Sequence, residues 1–208
     1  MTEIFPEMYK VIPEGISNQY TIEHYEISKK QADMYRLRSM MGGDINGTMV
    51  EAGKYCRLMY VNGYRTIVMS DTGGERRSNL DVVENSTGDI LIGGLGIGMV
   101  VCGIVTKPEV NSITIIEKSP DVITLVKEPL LKYLGDLSHK VTIIQSDIFE
   151  YKPTQKYNTI YFDIWNNISG DEYPETKTLH KQYRKYLIKG GWMDSWMRWK
   201  MKQSHFNP

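Results

Sequence analysis

Residues 93–98 have the sequence Gly-Gly-Leu-Gly-Ile-Gly and lie between an apolar run and a stretch of helical composition. Glycines in a strand-to-helix turn let the backbone turn sharply and let a ligand approach where a Cβ would collide. The first N–H groups of the helix are also free to bind that ligand. The motif predicts a site for a nucleoside-type cofactor, with Gly93, Gly94, Gly96 and Gly98 against it. A tight turn without a ligand is the alternative.

A carboxylate follows the motif at the distance typical of nucleoside sites. Glu117 ends the next apolar run, about 20 residues after Gly98, where an acid can accept hydrogen bonds from both ribose hydroxyls. We assign Glu117 and its neighbour Lys118 to cofactor binding, together with Asp147 and Ile148 at the end of the third run. A solvated charge for Glu117 and a helix cap for Asp147 are the alternatives.

A second carboxylate, Asp163, ends the fourth apolar run. At this edge of an open sheet it would contact the cofactor and accept a proton from an attacking amine or hydroxyl, or hold the acceptor in line. Asp163 is therefore the candidate catalytic residue, and capping of the following loop is its alternative role. Trp165, Asn166 and Asp71 are the candidate substrate-binding residues.

These residues need a parallel sheet to position them. After Gly88, short apolar runs alternate with helical stretches, which predicts an α/β, Rossmann-like fold. The predicted strands cover residues 89–92, 112–117, 140–145 and 157–163. A helix is expected to start at Ser119, to break or kink at Pro129 and to end at Gly135. Another is expected over about 175–189, ending at Gly190.

The first part of the chain predicts a smaller unit. Residues 20–27 alternate as a strand does, Ser28 precedes a helical run that ends at Gly42, and residues 75–85 are typical of a short helix. Two β-rich runs flank Asn62-Gly63, a dipeptide that favours a tight hairpin because both residues can adopt positive φ. We expect an N-terminal unit at 1–87 and a cofactor-binding domain at 88–208.

The end of the chain is rich in tryptophan. Trp192, Trp196 and Trp199 recur three to four residues apart, which is typical of one packed helical face. Few residues follow Gly191, so the last part of the sheet is expected to be truncated. An exposed sheet edge would then favour a homo-oligomer.

Composition excludes several other classes of function. Lys plus Arg and Asp plus Glu both number 25, which does not favour nucleic acid as a partner. Cys56 and Cys102 are the only cysteines and the four histidines lack ligand spacing, so neither a disulfide framework nor a metal site is predicted. No apolar run is long enough to cross a bilayer. We expect a cytoplasmic protein.

Four segments together resemble a known family: GDILIGGLGIGMVV, ITIIEKSPDVI, VTIIQSDIFEY and YNTIYFD. In this order they are similar to the motifs of class I S-adenosylmethionine-dependent methyltransferases, particularly the spermidine-synthase-like branch and small phage and bacterial proteins of this class. Gly94, Gly96 and Gly98 match the family's G-x-G-x-G, and Glu117 matches its ribose-binding acid. The resemblance implies S-adenosylmethionine as cofactor and a catalytic role for Asp163.

The resemblance covers about residues 55–165 and has clear departures. The side chains of the spermidine synthase motifs DG-x-x-Q and YHE are missing, and Asn166 and Asn167 replace the acid and proline of D-x-S-D-P. The [DNS]-P-P-[YF] motif of nucleic-acid amino-methylating enzymes is also missing. The sequence therefore favours a methyltransferase for a small-molecule or peptide acceptor. The alternatives are an aminopropyltransferase, a noncatalytic S-adenosylmethionine-binding protein and a dehydrogenase.

Overall fold

The computed structural model describes residues 4–42 and 50–206, which form two β-sheets flanked by helices. The first sheet is antiparallel, with the strand order β1-β2-β3-β4, and the second is parallel, with the order β7-β6-β5-β8-β9. The strands of the first sheet are β1 Gly15–Ser17, β2 Tyr20–Ile27, β3 Gly53–Asn62 and β4 Tyr64–Ser70. Those of the second are β5 Gly88–Gly93, β6 Val110–Glu117, β7 Val141–Gln145, β8 Tyr157–Phe162 and β9 Leu187–Ser195. The predicted α/β, Rossmann-like fold is confirmed.

Seven α-helices connect and cover these strands in the described part of the chain. They are α1 Lys29–Gly42, α2 Gly73–Ser78, α3 Leu80–Asn85, α4 Met99–Ile104, α5 Pro120–Leu134, α6 Tyr173–Tyr183 and α7 Arg198–Phe206. The helix predicted after Ser28 is α1. Its first turn is closed by a capping box in which the backbone N–H of Gln31 donates to Ser28 Oγ and that of Ser28 donates to Gln31 Oε1.

The parallel sheet creates a crevice beside its central strand. The side chains of Ile90, Leu91 and Ile92 in β5 are buried, as expected of a strand covered on both faces. The chain runs from β5 outward through β6 to β7, and then returns to the other side of β5 as β8. Ligands of such sheets bind outside the carboxyl ends of the strands at this reversal. Gly93 and Phe162 mark the two strand ends there.

Helix α5 begins as predicted but differs in its middle. Ser119 accepts a hydrogen bond from the N–H of Val122, and Gly135 ends the helix with φ +55°. A break or kink was expected at Pro129, and the break is wrong, since α5 continues to Leu134. Its buried stripe, which includes Val122, Val126, Leu130 and Leu134, lies on both sides of the proline. Burial of that stripe outweighs the missing hydrogen bond.

The N-terminal predictions are largely confirmed. The hairpin forms at the expected place, but Asn62 pairs with Tyr64 and only Gly63 has a positive φ, of +71°. The single helix predicted over 75–85 is two helices. Asn79 lies between α2 and α3 with φ −104°, and its side chain bonds both the carbonyl of Glu75 and the hydroxyl of Tyr161.

The helix predicted over 175–189 is wrong in its second half. Helix α6 ends at Tyr183, and residues 187–195 form the fifth parallel strand, β9, beside β8. The register of β9 shifts between Leu187, which pairs with Tyr157, and Trp192, which pairs with Thr159. Gly190 lies within that shift with φ +82°. Gly190 and Gly191 therefore form a β-bulge and do not end a helix.

The three tryptophans do not share a helical face. Trp192 lies in β9 and stacks on Tyr161, whereas Trp196 is buried and donates its Nε1–H to Ser78 Oγ. Trp199 lies on α7 and is 60% exposed. The expected helical stripe is therefore wrong, because a strand, a turn and a helix contribute one residue each.

A continuous hydrophobic cluster joins the two sheets. It includes Ile22 and Leu58 of the antiparallel sheet together with Ile92 and Ile115 of the parallel sheet. At the surface, Asp121 in the first turn of α5 accepts hydrogen bonds from Ser17 Oγ at 2.7 Å and Asn18 Nδ2 at 2.6 Å. The turn between β1 and β2 is thereby fixed to the start of α5, and the antiparallel sheet lies over one side of the crevice.

Candidate active site

A cavity of about 440 Å³ lies at the carboxyl ends of β5, β6 and β8. This volume is in the range of small-molecule sites. Side chains of the antiparallel sheet and α2 close one side of it. The cavity brings together most of the site residues predicted from the sequence: Gly94, Gly96, Glu117, Lys118, Asp147, Ile148, Asp163, Trp165 and Asn166. Gly93, Gly98 and Asp71 are not among its lining residues.

The glycine turn has a backbone that only glycine adopts readily. Gly94, Gly96 and Gly98 have φ values of +98°, +52° and +77°. A Cβ at Gly94 would lie 2.1 Å from the backbone oxygen of Asp163, and one at Gly96 would lie 2.0 Å from the Met69 sulfur. These two glycines therefore allow the turn to lie close to both β8 and β4.

Two side chains hold the N–H groups of the glycine turn. The N–H of Leu95 donates to Glu117 Oε2 at 2.9 Å, and that of Ile97 donates to Met69 Sδ at 3.1 Å. Gly98, whose N–H bonds the Leu95 carbonyl, is the N-terminal cap position of α4 and packs toward Leu130. Gly93 packs toward Ile148 and Phe162 instead of lining the cavity.

Glu117 joins the glycine turn to the start of α5. Its Oε2 accepts from Leu95 and its Oε1 accepts the N–H of Ser119 at 2.7 Å. Burial raises the pKa of the carboxyl, while the backbone donors oppose that shift. Because each carboxylate oxygen can accept more than one hydrogen bond, Glu117 keeps acceptor capacity toward the cavity.

The rim beside Glu117 is formed by an ion pair. Lys118 Nζ lies 2.8 Å from Asp147 Oδ2, and the lysine side chain is 78% exposed. Asp147 Oδ1 accepts the N–H of Phe149. The Lys118 hydrogen bond is the main reason that the pKa of Asp147 is lowered. Asp147 is therefore charged, and it also stabilises the turn that brings Ile148 to the cavity wall.

Asp163 is fixed by its backbone and free at its side chain. Its N–H donates to the carbonyl of Gly93 at 2.8 Å, which sets it beside the glycine turn. No described residue forms a hydrogen bond with its carboxylate, and burial raises its pKa to about 7. A carboxyl group with such a pKa can exchange a proton with a ligand near neutral pH.

Trp165 forms an aromatic wall after Asp163. The side chain is 8% exposed, and its Nε1–H donates to Glu175 Oε2 at 2.8 Å. That bond fixes the plane of the indole. Asn166 lines the same region but is exposed to solvent.

Asp71, assigned to substrate binding from the sequence, lies elsewhere. Its side chain is fully buried, and its carboxylate accepts from the backbone N–H groups of Met8 and Cys56 and from the Arg76 guanidinium at 3.1 Å. The carboxylate thus links the N-terminal segment, β3 and α2. These contacts are those of a structural residue.

Sequence reasoning missed five lining residues from the first part of the chain: Tyr20, Leu58, Val68, Met69 and Glu75. Glu75 lies on α2, and burial together with the charge of Asp163 raises its pKa to about 8. The only signal in the sequence was Glu75 itself, an acid at the start of the helix predicted over 75–85.

The described residues contain neither a metal-binding cluster nor a membrane-spanning helix. No group of His, Cys, Asp and Glu side chains there is arranged to hold a metal ion. Among the helices at 4–42 and 50–206, none has the length and apolar character needed to cross a membrane.

Comparisons with known proteins give a weak structural likeness. No protein-family model matches the chain, and no curated protein matches it either. Similar solved structures include the glycopeptide N-methyltransferase MtfA with bound S-adenosylmethionine (17% identity, TM-score 0.45) and the CcbJ methyltransferase from Streptomyces caelestis (18%, 0.45). The N-methyltransferase NodS from Bradyrhizobium japonicum WM9 is 15% identical, with a TM-score of 0.44.

The likeness is also partial. The matches cover 57%, 58% and 58% of this chain, and 47%, 47% and 66% of MtfA, CcbJ and NodS. The chain thus spans about half the length of two of these structures and just under two thirds of the third. At these values the matches carry no argument about activity, which has to come from the site itself.

Proposed function

We propose that this protein is an S-adenosylmethionine-dependent methyltransferase acting on a small-molecule or peptide acceptor. The observation that supports this is the meeting of the glycine turn, Glu117 and Asp163 in one cavity at the reversal of a parallel sheet. This is the place where open α/β sheets bind nucleotides and related cofactors. Similarity of the sequence motifs to the class I family selects S-adenosylmethionine among them.

The residues present fit such a cofactor. Gly94 and Gly96 line the cavity and let the turn lie against β8 and β4, which places its backbone at the carboxyl end of β5, where the cofactor would bind. Glu117 would accept hydrogen bonds from the ribose hydroxyls. Lys118, Asp147 and Ile148 would form the adjoining wall, where an adenine ring would find apolar contact and polar edges.

When bound, S-adenosylmethionine supplies a methyl group on a positively charged sulfur. Asp163 is the residue assigned to the reaction itself. Its carboxylate would orient the acceptor and take up the proton that the acceptor loses. The fixed plane of Trp165 would exclude water on one side, and Asn166 would offer an amide to the acceptor.

The two parts of the chain have different roles in this proposal. Residues 88–208 bind the cofactor, and residues 1–87 cover the cavity and add acceptor contacts. Tyr20, Met69 and Glu75 line the cavity from that first part.

The test is calorimetric titration with S-adenosylmethionine, S-adenosylhomocysteine, decarboxylated S-adenosylmethionine and NAD. We expect S-adenosylmethionine and S-adenosylhomocysteine to bind, with affinity lost in Gly96→Val and reduced at least tenfold in Glu117→Gln. Gly74→Val and Glu84→Gln are matched controls, because a Cβ at Gly74 meets open space and Glu84 is exposed. Preference for the decarboxylated ligand would favour an aminopropyltransferase, and preference for NAD a dehydrogenase. If none of the four binds, the proposal is wrong.

Transfer of label from methyl-labelled S-adenosylmethionine to small-molecule and peptide pools then separates an enzyme from a binding protein. We expect transfer that is lost in Asp163→Asn while S-adenosylhomocysteine still binds. Binding without transfer to any pool would favour a noncatalytic role.

A further inference from the structure

Two of the four carboxylates in the cavity have no hydrogen-bond or ion-pair partner among the described residues. Glu117 accepts two backbone N–H groups, and Asp147 is paired with Lys118. Glu75 and Asp163, by contrast, form no side-chain hydrogen bond with any described residue. Desolvated carboxylates without partners are costly, and proteins keep them where a ligand or a reaction uses them.

The two unpartnered carboxylates reach the cavity from separate elements. Glu75 comes from α2, which follows the antiparallel sheet, and Asp163 comes from the end of β8. They are close enough for the charge of Asp163 to raise the pKa of Glu75. Glu75 and Asp163, which we call the acidic pair, therefore lie where the part of the chain that covers the cavity meets the parallel sheet.

Among the residues at 4–42 and 50–206, none that lines the cavity offers this pair a free positive charge. Lys118 is the only cationic side chain among the described lining residues, and its ammonium group is bonded to Asp147 at the exposed rim. Trp165 adds an aromatic face to the same cavity. Carboxylates and an indole face both favour a positively charged nitrogen.

We infer that Glu75 and Asp163 form an acceptor site for an amine that binds as its ammonium ion. This inference rests on the proposed function and assigns it a substrate class, so that the reaction is N-methylation. The charge of the bound cation favours the ionised form of both acids, so Glu75 gives up the proton that it carries in the free protein and the ammonium group donates hydrogen bonds to both carboxylates. A neutral alcohol of the same shape offers one donor and no charge, and it binds less well.

The pair also provides for the proton that N-methylation requires. The ammonium nitrogen first gives one proton to a carboxylate, which frees its electron pair. The nitrogen then bonds to the methyl carbon while the carbon–sulfur bond breaks, and that bond's electrons remain on sulfur as a thioether. The product is a methylated ammonium ion, and the carboxyl group returns its proton to solvent.

The experiment measures binding, so it does not depend on turnover. Methylamine, propylamine and benzylamine are titrated calorimetrically against methanol, propanol and benzyl alcohol, with and without saturating S-adenosylhomocysteine. We expect at least one amine to bind at least tenfold more tightly than its alcohol. Glu75→Gln should remove at least tenfold of the amine affinity and leave the S-adenosylhomocysteine Kd within twofold, which also shows that the variant is folded. Glu84→Gln, an exposed change of the same kind, should have neither effect.

Each outcome decides the matter. Equal binding of amines and alcohols, or no amine binding, overturns the inference. A parallel loss of amine and S-adenosylhomocysteine affinity in Glu75→Gln also overturns it, because Glu75 would then belong to the cofactor site. Glu75-dependent amine binding without S-adenosylhomocysteine binding would support the acceptor site and overturn the proposed function, so the two failures are distinguishable.

Discussion

Neutralising Glu75 should make the protein more stable at neutral and alkaline pH. In the folded protein burial and Asp163 raise the pKa of Glu75 to about 8, from an ordinary value of 4.5. Between these two values the unfolded chain is ionised at this position and the folded chain is protonated. The folded state then binds more protons, so the free energy of unfolding falls as pH rises.

The size of the effect follows from the two pKa values. Between these two pKa values, a single group changes the free energy of unfolding by at most about 1.4 kcal/mol per pH unit. From pH 5.5 to 7.5, Glu75 therefore lowers the free energy of unfolding by up to about 2.7 kcal/mol, and the loss is complete above pH 8. Water entering the cavity would reduce this destabilisation. We therefore expect the free energy of unfolding of Glu75→Gln, relative to that of the wild type, to rise by roughly 1–2.7 kcal/mol from pH 5.5 to 7.5. Asp163 is present in both proteins, and its contribution largely cancels.

The assay is urea denaturation of both proteins at pH 5.5, 6.5, 7.5 and 8.5, followed by tryptophan fluorescence. Glu84→Gln is the control, and its difference from the wild type should be small and independent of pH. A difference between Glu75→Gln and wild type that stays constant over pH 5.5–7.5, or that shrinks, would refute the argument that this carboxyl is protonated in the folded state.

Three substitutions test the framework around the cavity, each by urea denaturation. Asp71→Asn puts an amide where two buried N–H groups and the partly buried Arg76 guanidinium need a carboxylate, and we expect a loss of about 3–5 kcal/mol; a loss below 1 kcal/mol would contradict a structural role. Tyr183→Phe removes the hydroxyl that donates to the carbonyls of Ile148 and Tyr151, and should cost about 1–3 kcal/mol. Ser119→Ala removes the cap of α5 and should cost about 1 kcal/mol, whereas an unchanged midpoint would show that the cap is not used.

The cofactor half of the fold could be predicted because its signals are local. Short apolar runs mark β5 to β8, and the glycines with positive φ stand where a strand must turn into a helix. Glu117 could be placed beside the glycine turn because it ends a parallel strand. The carboxyl ends of neighbouring parallel strands lie side by side. The resulting geometry brings Glu117 within 2.9 Å of the Leu95 N–H.

The parts that could not be predicted depend on contacts distant in sequence. Strand β9 has a helix-compatible start and a Gly-Gly pair, and only its pairing with β8 shows that the glycines form a bulge. Asp71 and Glu75 lie four residues apart in the same short segment, on either side of Thr-Gly-Gly. One is buried among donors from Met8 and Cys56, while the other faces Asp163, and no local pattern separates these two environments.

The glycine turn is held in shape by the protein's own side chains. Glu117 fixes the N–H of Leu95 and Met69 fixes that of Ile97, so the backbone conformation does not depend on a ligand to order it. A pre-organised backbone loses little conformational entropy on association, and affinity then depends on contacts rather than on a folding step. The thioether of Met69 is a weak acceptor that a ligand oxygen can replace at small enthalpic cost. Ligand exchange at this turn should therefore be limited by movement of the Met69 side chain, on the time scale of rotamer changes and not of loop refolding.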